Sequence, residues 1–311
     1  PTWWCDDPPG PAFVQHGDAP LSKNRKGERI KEAYGSNFGW SLCAFHPAAQ
    51  AAEEIILRQF TQEYPVDILF QDQVGARHSI YDFNPAAPAP YAYVQGMIDI
   101  ARRDSRTVPL STENGFDAVM NDEAQFCGIS WGLVPTTPRP EWVRLWRETY
   151  PDHVWNFSPL ALWLAHDKIV FAHHDLGQFV TNNETLTWTL LLGYQLSYRA
   201  SAEQLEKDHA WLDWLAALQR TVGPQLIGAP LNAWQEPSAG IYHAQYGDTK
   251  IIANTTPKPH VLDGRTTLAP YGFQIINEKA GLAAGLYDRF DSRDGARAFV
   301  RQGTNVIESP R

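Results

Sequence analysis

The sequence predicts an α/β protein in which helices alternate with short parallel strands, followed by a small antiparallel β domain. Two observations lead to this fold class. Before Pro230, helix-forming segments alternate with short apolar runs, as in βα units around a parallel sheet. After Pro230, short strand-like runs are separated by turns such as 246–248. Gly and Pro near this change mark a boundary, so we expect one domain at 1–228 and a second at 229–311.

Five short apolar runs in the first part predict its strands, at 38–43, 66–70, 108–112, 125–131 and 168–172. Helical spacing of apolar residues predicts helices at 48–63, 91–106 and 202–220. Pro47 stands where a helix can begin, and Ile55, Ile56 and Phe60 fall near one face of that helix. The apolar segment 187–196 fits either a strand or a buried helix, and the residues before 38 predict a long loop.

Four apolar runs in the second part predict strands, at 241–246, 250–254, 272–276 and 298–300. Short strands with regular turn signals are typical of a sandwich of antiparallel sheets. We therefore expect a small C-terminal β-sandwich domain.

Composition disfavours several classes of function. There are 26 Lys and Arg against 35 Asp and Glu, and the resulting net charge of −9 disfavours nucleic acid, because phosphate binding needs clustered basic residues. No run approaches the roughly 18 apolar residues of a membrane span. The 3 cysteines include no CxxC pair, which disfavours a disulfide framework or a thiolate zinc site. The 12 Trp offer flat apolar faces on which sugar rings can stack.

The strongest chemical signal is a pair of carboxylates, Asp72 and Glu113, on successive strand–helix units. In a (β/α)8 barrel the catalytic residues lie at the carboxyl ends of the strands. Because adjacent strands are about 4.8 Å apart, carboxylates on neighbouring ends can lie about 5–5.5 Å apart, the spacing of a retaining glycosidase. One would attack the anomeric carbon, and the other would protonate the leaving oxygen. The alternative is a pair of loop carboxylates, since Asp after a strand often caps the next helix.

Several motifs around this pair resemble one known group. They are Leu42-Cys43-Ala44-Phe45-His46-Pro47, Asp67-Ile68-Leu69-Phe70-Gln71-Asp72-Gln73, Tyr81-Asp82, Leu110-Ser111-Thr112-Glu113-Asn114-Gly115 and Leu268-Ala269-Pro270-Tyr271-Gly272-Phe273. Together they resemble a bacterial glycoside-hydrolase-like (β/α)8 barrel family, distantly similar to endo-α-N-acetylgalactosaminidases and the α-amylase superfamily. The resemblance implies that Asp72 is the nucleophile, that Glu113 is the acid/base, and that the substrate is an α-linked glycan.

The resemblance also predicts an incomplete barrel. In those relatives the nucleophile follows the fourth strand, whereas here only 71 residues precede Asp72. A full barrel takes about 250 residues. We therefore expect a TIM-type barrel that lacks its first strand or strands, with 3–7 as the end of the second. The missing part would lie outside this chain, on a separate polypeptide as one option.

Residues near the strand ends and in the following loops are candidates for sugar binding, because these loops build the pocket of a barrel. They are Asp6, His46, Gln71, Arg77, Tyr81, Asn114, Trp131, His173, His174 and Asp175. The alternatives without a binding role are a surface salt bridge for Arg77 and a hydrogen-bonded pair at the barrel rim for His173 and His174.

Two other functions stay open: a non-catalytic carbohydrate-binding or structural protein, and a metal-dependent hydrolase centred on His173, His174 and Asp175. Adjacent strand residues point to opposite faces, so the two histidines cannot easily share one ion, and no metal ligand is assigned. Two carboxylates and water need no cofactor, and a structural calcium ion is left open. The start at Pro1 indicates a processed or partial chain, with secretion or a periplasmic location favoured over the cytoplasm.

Overall fold

The computed structural model of the chain describes residues 2–7, 9–34, 36–77, 79–128, 158–173, 180–198, 201–290 and 293–308. The chain divides into two compact units, Pro1–Cys127 and Gly128–Arg311. This division falls inside the segment that was expected to form one barrel domain, and the expected boundary near residue 228 stays a prediction. Within the described ranges, no helix has both the length and the apolar character needed to cross a membrane.

The first unit opens with a small antiparallel sheet where a long loop was predicted. Its strands are β1 (Trp3–Asp7), β2 (Lys31–Tyr34) and β3 (Asn37–Ser41), in the order β1–β3–β2, and α1 (Pro11–His16) lies between the first two. β3 was predicted from its apolar run, and a strand at 3–7 was expected as the end of a barrel strand, but β1 instead pairs antiparallel with β3. The sequence of β2 carries no apolar run, because Lys31 and Ala33 are exposed on one face and Glu32 is half-buried on the other.

A parallel sheet follows in the same unit. Its strands are β4 (Leu69–Gln71), β5 (Leu110–Glu113) and β6 (Gln125–Cys127), paired in parallel as β4–β5–β6. The preceding helix is α2 (Pro47–Arg58), extended by one π-helical turn at Gln59–Glu63, and α3 (Tyr93–Asp104) connects β4 to β5. A 3₁₀ turn, Asp117–Val119, lies between β5 and β6. These positions confirm the predicted alternation of strands and helices.

The predicted burial of this first βα unit was wrong. Ile55, Ile56 and Phe60 are 49 %, 38 % and 43 % exposed, whereas α2 buries Ala49 and Glu53. The run 66–70 is also half-exposed, because β4 lies at the edge of the sheet and pairs with β5 alone among the described strands. A short apolar run predicts a strand well, but whether that strand is central or at an edge depends on its neighbours.

The second unit begins, in its described part, with α4 (Leu160–Ala165), β7 (Val170–Ala172) and α5 (Asn183–Leu191). The segment 187–196 fitted either a strand or a buried helix, and its first part, up to Leu191, belongs to α5. Asn182 and Thr185 form a capping box at the start of this helix, and residues 185–191 are buried. The predicted helix at 202–220 is two helices, α6 (Ala202–Lys207) and α7 (His209–Thr221), followed by α8 (Gly223–Leu226). Trp211 and Trp214 are buried on α7, as expected for packing residues.

A nine-stranded antiparallel sheet completes the second unit. Its strands are β8 (Leu231–Ser238), β9 (Ile241–Tyr246), β10 (Thr249–Asn254), β11 (His260–Val261), β12 (Thr267–Leu268), β13 (Phe273–Asn277), β14 (Leu282–Phe290), β15 (Arg293–Gln302) and β16 (Asn305–Glu308). The order is β11–β12–β14–β13–β10–β9–β8, with β15 on β14 and β16 on β15. Hydrogen bonds join all nine into one sheet, because β14 pairs with β13 near Leu282 and with β12 near Tyr287. A long strand with a bulge or bend can belong to both layers of a sandwich, so the expected two-layer packing stays a prediction.

The predicted class, a parallel α/β region followed by an antiparallel β domain, is confirmed. A closed eight-stranded barrel is not seen in the described part of the chain, where the first unit pairs three strands in parallel. The barrel therefore stays a prediction.

Candidate active site

Asp72 and Glu113 lie at the same edge of the parallel sheet. Glu113 is the last residue of β5, and Asp72 directly follows β4. The register pairs Gln71 with Thr112, so one residue further along Asp72 and Glu113 stand at the same level. The backbone thus places the two predicted catalytic residues on neighbouring strand ends.

Each carboxylate is followed at once by a residue in the left-handed region of backbone space. Gln73 has a φ of 64° and Asn114 a φ of 57°, and among the described non-glycine residues only Tyr271 shares this property. A side chain in this region costs the backbone about 1–2 kcal/mol. Strained residues of this kind cluster at functional sites.

The two strand-end turns are locked to each other. The hydroxyl of Thr112 donates to the carbonyl oxygen of Gln71 (2.9 Å) and accepts from the backbone N–H of Gly75 (2.8 Å). The N–H of Gly115 donates to the carbonyl of Gly75 (3.3 Å). A Cβ at Gly75 would lie 2.6 Å from the Thr112 methyl group, so only glycine permits this approach. The turns that carry Asp72 and Glu113 therefore form one rigid frame.

Glu113 lines a cavity of about 450 Å³. The other lining residues are Glu32, Gln73, Ala76, Arg77, Ile80, Tyr93 and Asn114. Arg77 is 7 % exposed and forms an ion pair with Glu32, which also accepts from the Ser41 hydroxyl. The surface salt bridge considered for Arg77 is thus a buried pair in the cavity wall. Burial raises the pKa of the neighbouring Tyr93, and the charge of Arg77 acts in the opposite direction.

Asp72 lines a different concavity of about 470 Å³. Its walls are mainly apolar and include Trp3, Ile56, Phe60 and Phe70, and Asp72 itself is exposed. In the part of the chain that the structure describes, the two carboxylates therefore share a sheet edge but line separate cavities. A substrate that reaches both would have to extend across the ends of β4 and β5.

The other sequence-predicted residues of the first unit differ in their placement. Asn114 lines the Glu113 cavity. The amide of Gln71 instead donates to the buried Asp104 (2.7 Å). His46 caps α2 by accepting from the Ala48 N–H (3.1 Å), and Asp6 accepts from the Trp40 indole (2.9 Å). Tyr81 is 69 % exposed. Of these side chains, Gln71, His46 and Asp6 have partners within the fold, and their sugar-binding role stays a prediction.

The third strand end, after β7, differs from the first two. His173 is buried, its Nε2 lies 2.6 Å from the Thr189 hydroxyl, and its ring lies 5.3 Å from the ring of Tyr194. This placement is that of a hydrogen-bonded packing residue, which was the alternative to a sugar contact for His173. His174, Asp175 and Trp131 lie outside the described residues. Within the described residues, no three His, Cys, Asp or Glu side chains come together as a metal site would require.

Three polar residues of the Glu113 cavity were not predicted as binding residues. Glu32 lies on β2, a strand that the sequence does not reveal. Tyr93, the first residue of α3, is buried and lines the cavity, whereas Tyr91 lies just before the helix and is exposed. Gln73 directly follows Gln71 and Asp72, and the sequence predicted functional roles for those two residues instead.

No family model matches the sequence, and no curated protein matches it. Among solved structures, the ligand-free α-N-acetylgalactosaminidase NagBb from Bifidobacterium bifidum aligns with a TM-score of 0.55 at 13 % identity, over 78 % of this chain and 38 % of that chain. Its GalNAc complex aligns with a TM-score of 0.52 at 14 % identity, over 76 % of this chain and 38 % of that chain.

The GH36 α-galactosidase AgaA from Geobacillus stearothermophilus aligns with a TM-score of 0.48 at 12 % identity, over 97 % of this chain and 39 % of that chain. The chain therefore spans less than two fifths of the length of these structures. At such identities the likeness to NagBb concerns the fold alone and assigns no activity to this chain.

Proposed function

We propose that the chain is part of a glycoside hydrolase that cleaves an O-glycosidic bond with retention of configuration. The observation that carries the proposal is the register of β4 and β5, which puts Asp72 and Glu113 at one level on adjacent parallel strand ends. Strand ends of this kind carry the catalytic groups of barrel enzymes. The glycosidase-like fold of the chain supports the same class of reaction.

The two carboxylates have distinct roles in this proposal. Asp72 attacks the anomeric carbon and forms a covalent glycosyl ester, while Glu113 donates its proton to the leaving oxygen. Glu113 then takes a proton from water, and that water releases the sugar from Asp72. The rigid frame of Thr112 and Gly75 holds both turns, so little reorganisation is needed when the substrate binds.

We infer that the substrate is an α-linked glycan whose ring occupies the Glu113 cavity. The name of the NagBb structures makes α-linked N-acetylgalactosamine the first sugar to test. The cavity volume of about 450 Å³ lies within the range usual for small-molecule sites. Because the chain spans only 38 % of that neighbour, the activity of the whole protein is part of the proposal.

The test is hydrolysis of aryl α-glycosides of N-acetylgalactosamine, galactose and glucose by the wild type and by Asp72→Ala. We expect Asp72→Ala to be inactive and azide to restore turnover as the glycosyl azide of inverted configuration, because azide can fill the space of the missing carboxylate. Asp67→Asn is the matched control, since it removes an exposed carboxylate that precedes β4. Near wild-type turnover of Asp72→Ala without azide would show that Asp72 is not the nucleophile.

A second candidate is a sugar-binding protein without turnover. The separate cavities of Asp72 and Glu113 favour it, because a retaining mechanism needs the two groups about 5–5.5 Å apart across one bond. Binding of N-acetylgalactosamine by calorimetry, with no product from any aryl glycoside, would support this alternative.

A further inference from the structure

The backbone at Gln73 is unusual for a glutamine. Asparagine tolerates the left-handed region because its short side chain can bond to the nearby backbone, which accounts for Asn114. Glutamine lacks that short-range bond, yet Gln73 holds a φ of 64°. Glycine would occupy this position without the steric cost. The side chain at position 73 therefore has a use that offsets the strain.

The turn gives Gln73 no freedom to relax. Its carbonyl oxygen accepts from the Ala76 N–H (3.1 Å), and Gly75 two residues later is held by Thr112 (2.8 Å). The preceding Gln71 is anchored through the Thr112 hydroxyl and through Asp104. Fixed points on both sides keep the Gln73 side chain at the wall of the Glu113 cavity.

The amide of Gln73 is polar and incompletely satisfied. Its Oε1 is buried and has no hydrogen-bond partner among the described residues. A buried carbonyl oxygen without a partner costs about 1–3 kcal/mol. The charged groups beside it, Glu32 and Arg77, are paired with each other. The group that completes this corner of the cavity is therefore a hydrogen-bond donor.

We propose that Gln73 is a specificity-determining residue whose Oε1 accepts a hydrogen bond from a hydroxyl or amide N–H of the sugar ring bound in the Glu113 cavity. This inference rests on the proposed function, because it assigns a role in the same site. It adds that the bound ring presents a donor toward the end of β4.

The test uses Gln73→Gly and Gln73→Asn in the 311-residue chain. Gln73→Gly removes the amide and relieves the left-handed strain, so its melting temperature stays at or above that of the wild type. Gln73→Asn keeps an amide in a residue that tolerates the turn. Tyr271→Gly is the matched control, because it relieves the same kind of strain in the second unit. Calorimetry measures binding of N-acetylgalactosamine, galactose and glucose, and of monodeoxy analogues of the sugar that binds best.

We expect Gln73→Gly to weaken binding about tenfold, the effect of one buried hydrogen bond. Gln73→Asn should recover part of the affinity, and Tyr271→Gly should bind as the wild type does. The loss should vanish for the one deoxy analogue that lacks the contacted donor. Equal binding by Gln73→Gly and the wild type, or an equal loss for every analogue, would overturn the assignment and indicate that an ordered water satisfies Oε1.

Turnover separates this inference from the proposed function. Gln73-dependent binding without hydrolysis leaves the inference standing and removes the proposed reaction. Hydrolysis by a protein whose sugar affinity does not depend on Gln73 leaves the proposed reaction standing and removes the inference about Gln73. If the wild type neither binds nor cleaves any of the three sugars, both are wrong.

Discussion

The carboxyl ends of β5 and β7 carry the same kind of sequence, a short apolar strand followed by polar residues, yet they differ in structure. At β5, Glu113 and Asn114 line a cavity of about 450 Å³. At β7, His173 is buried and lies 2.6 Å from the Thr189 hydroxyl of α5. The end of β5 thus opens to a cavity, whereas the end of β7 is covered by a helix that supplies His173 with a hydroxyl partner. Sequence alone does not reveal that partner.

Removal of the acid at the β5 end should give the largest effect. We expect Glu113→Gln to lower kcat/KM for an alkyl glycoside by about 100- to 10,000-fold, the contribution of general acid catalysis, since kcat/KM reports the step in which the leaving group departs. An aryl glycoside with a good leaving group needs less protonation, so its kcat/KM should fall much less. Comparison of the two substrates measures this difference. An equal loss for both would contradict the acid/base role of Glu113.

A buried glutamate, Glu123, precedes β6 at the opposite end of the same sheet. Burial and the neighbouring Asp122 and Asp104 raise the pKa of Glu123 from 4.5 to about 8. Neither of its carboxyl oxygens has a hydrogen-bond partner in the described chain. Two glutamates of one sheet thus stand in opposite environments.

The raised pKa of Glu123 makes stability depend on pH. The stability that the protonated form contributes is fully present below pH 4.5 and is lost as the pH rises through about 8. Each pH unit in that window lowers the free energy of unfolding by about 1.4 kcal/mol. Glu123→Gln stays neutral and should flatten the profile, which urea titrations at several pH values measure. An unchanged slope would show that Glu123 is ionised in the folded state.

One added methyl group at Gly75 can disturb the hydrogen-bonded turns that follow β4 and β5. Gly75→Ala would place a methyl group 2.6 Å from the Thr112 methyl and 2.8 Å from Gly115. We expect a destabilisation of about 1–3 kcal/mol, because overpacked positions cost that much, together with a loss of turnover. Thermal melts and kcat measure the two effects. Gly264→Ala, where a Cβ meets nothing within 4 Å, is the control.

The smallest effect is expected at the β7 end. His173→Phe removes the hydrogen bond to Thr189 and should cost about 1 kcal/mol of stability. Turnover should stay unchanged if His173 is a packing residue. A large loss of kcat with an unchanged melting temperature would contradict the packing role of His173 and indicate that it contacts the substrate.

The local chemistry of the sheet could be predicted from the sequence. The strands at β4, β5, β6 and β7 were found from apolar runs, and α3 from helical spacing. Burial did not follow from the spacing, since Ile55 on α2 and Phe60 in the following turn are exposed, and Tyr93 is buried at the start of α3 while Tyr91 is exposed. Periodicity identifies an element, but its buried face depends on what packs against it.

The sequence by itself determined the alternation of strands and helices, the change to antiparallel strands after Pro230, and the position of Asp72 and Glu113 at strand ends. These features follow from short-range patterns of polarity and turn chemistry. Only the tertiary structure decided that Glu32 from β2 meets Arg77, that Gln73 is strained at the cavity wall, and that His173 is buried. Each of these depends on contacts between residues distant in sequence, such as the 45 positions between Glu32 and Arg77, which no local pattern encodes.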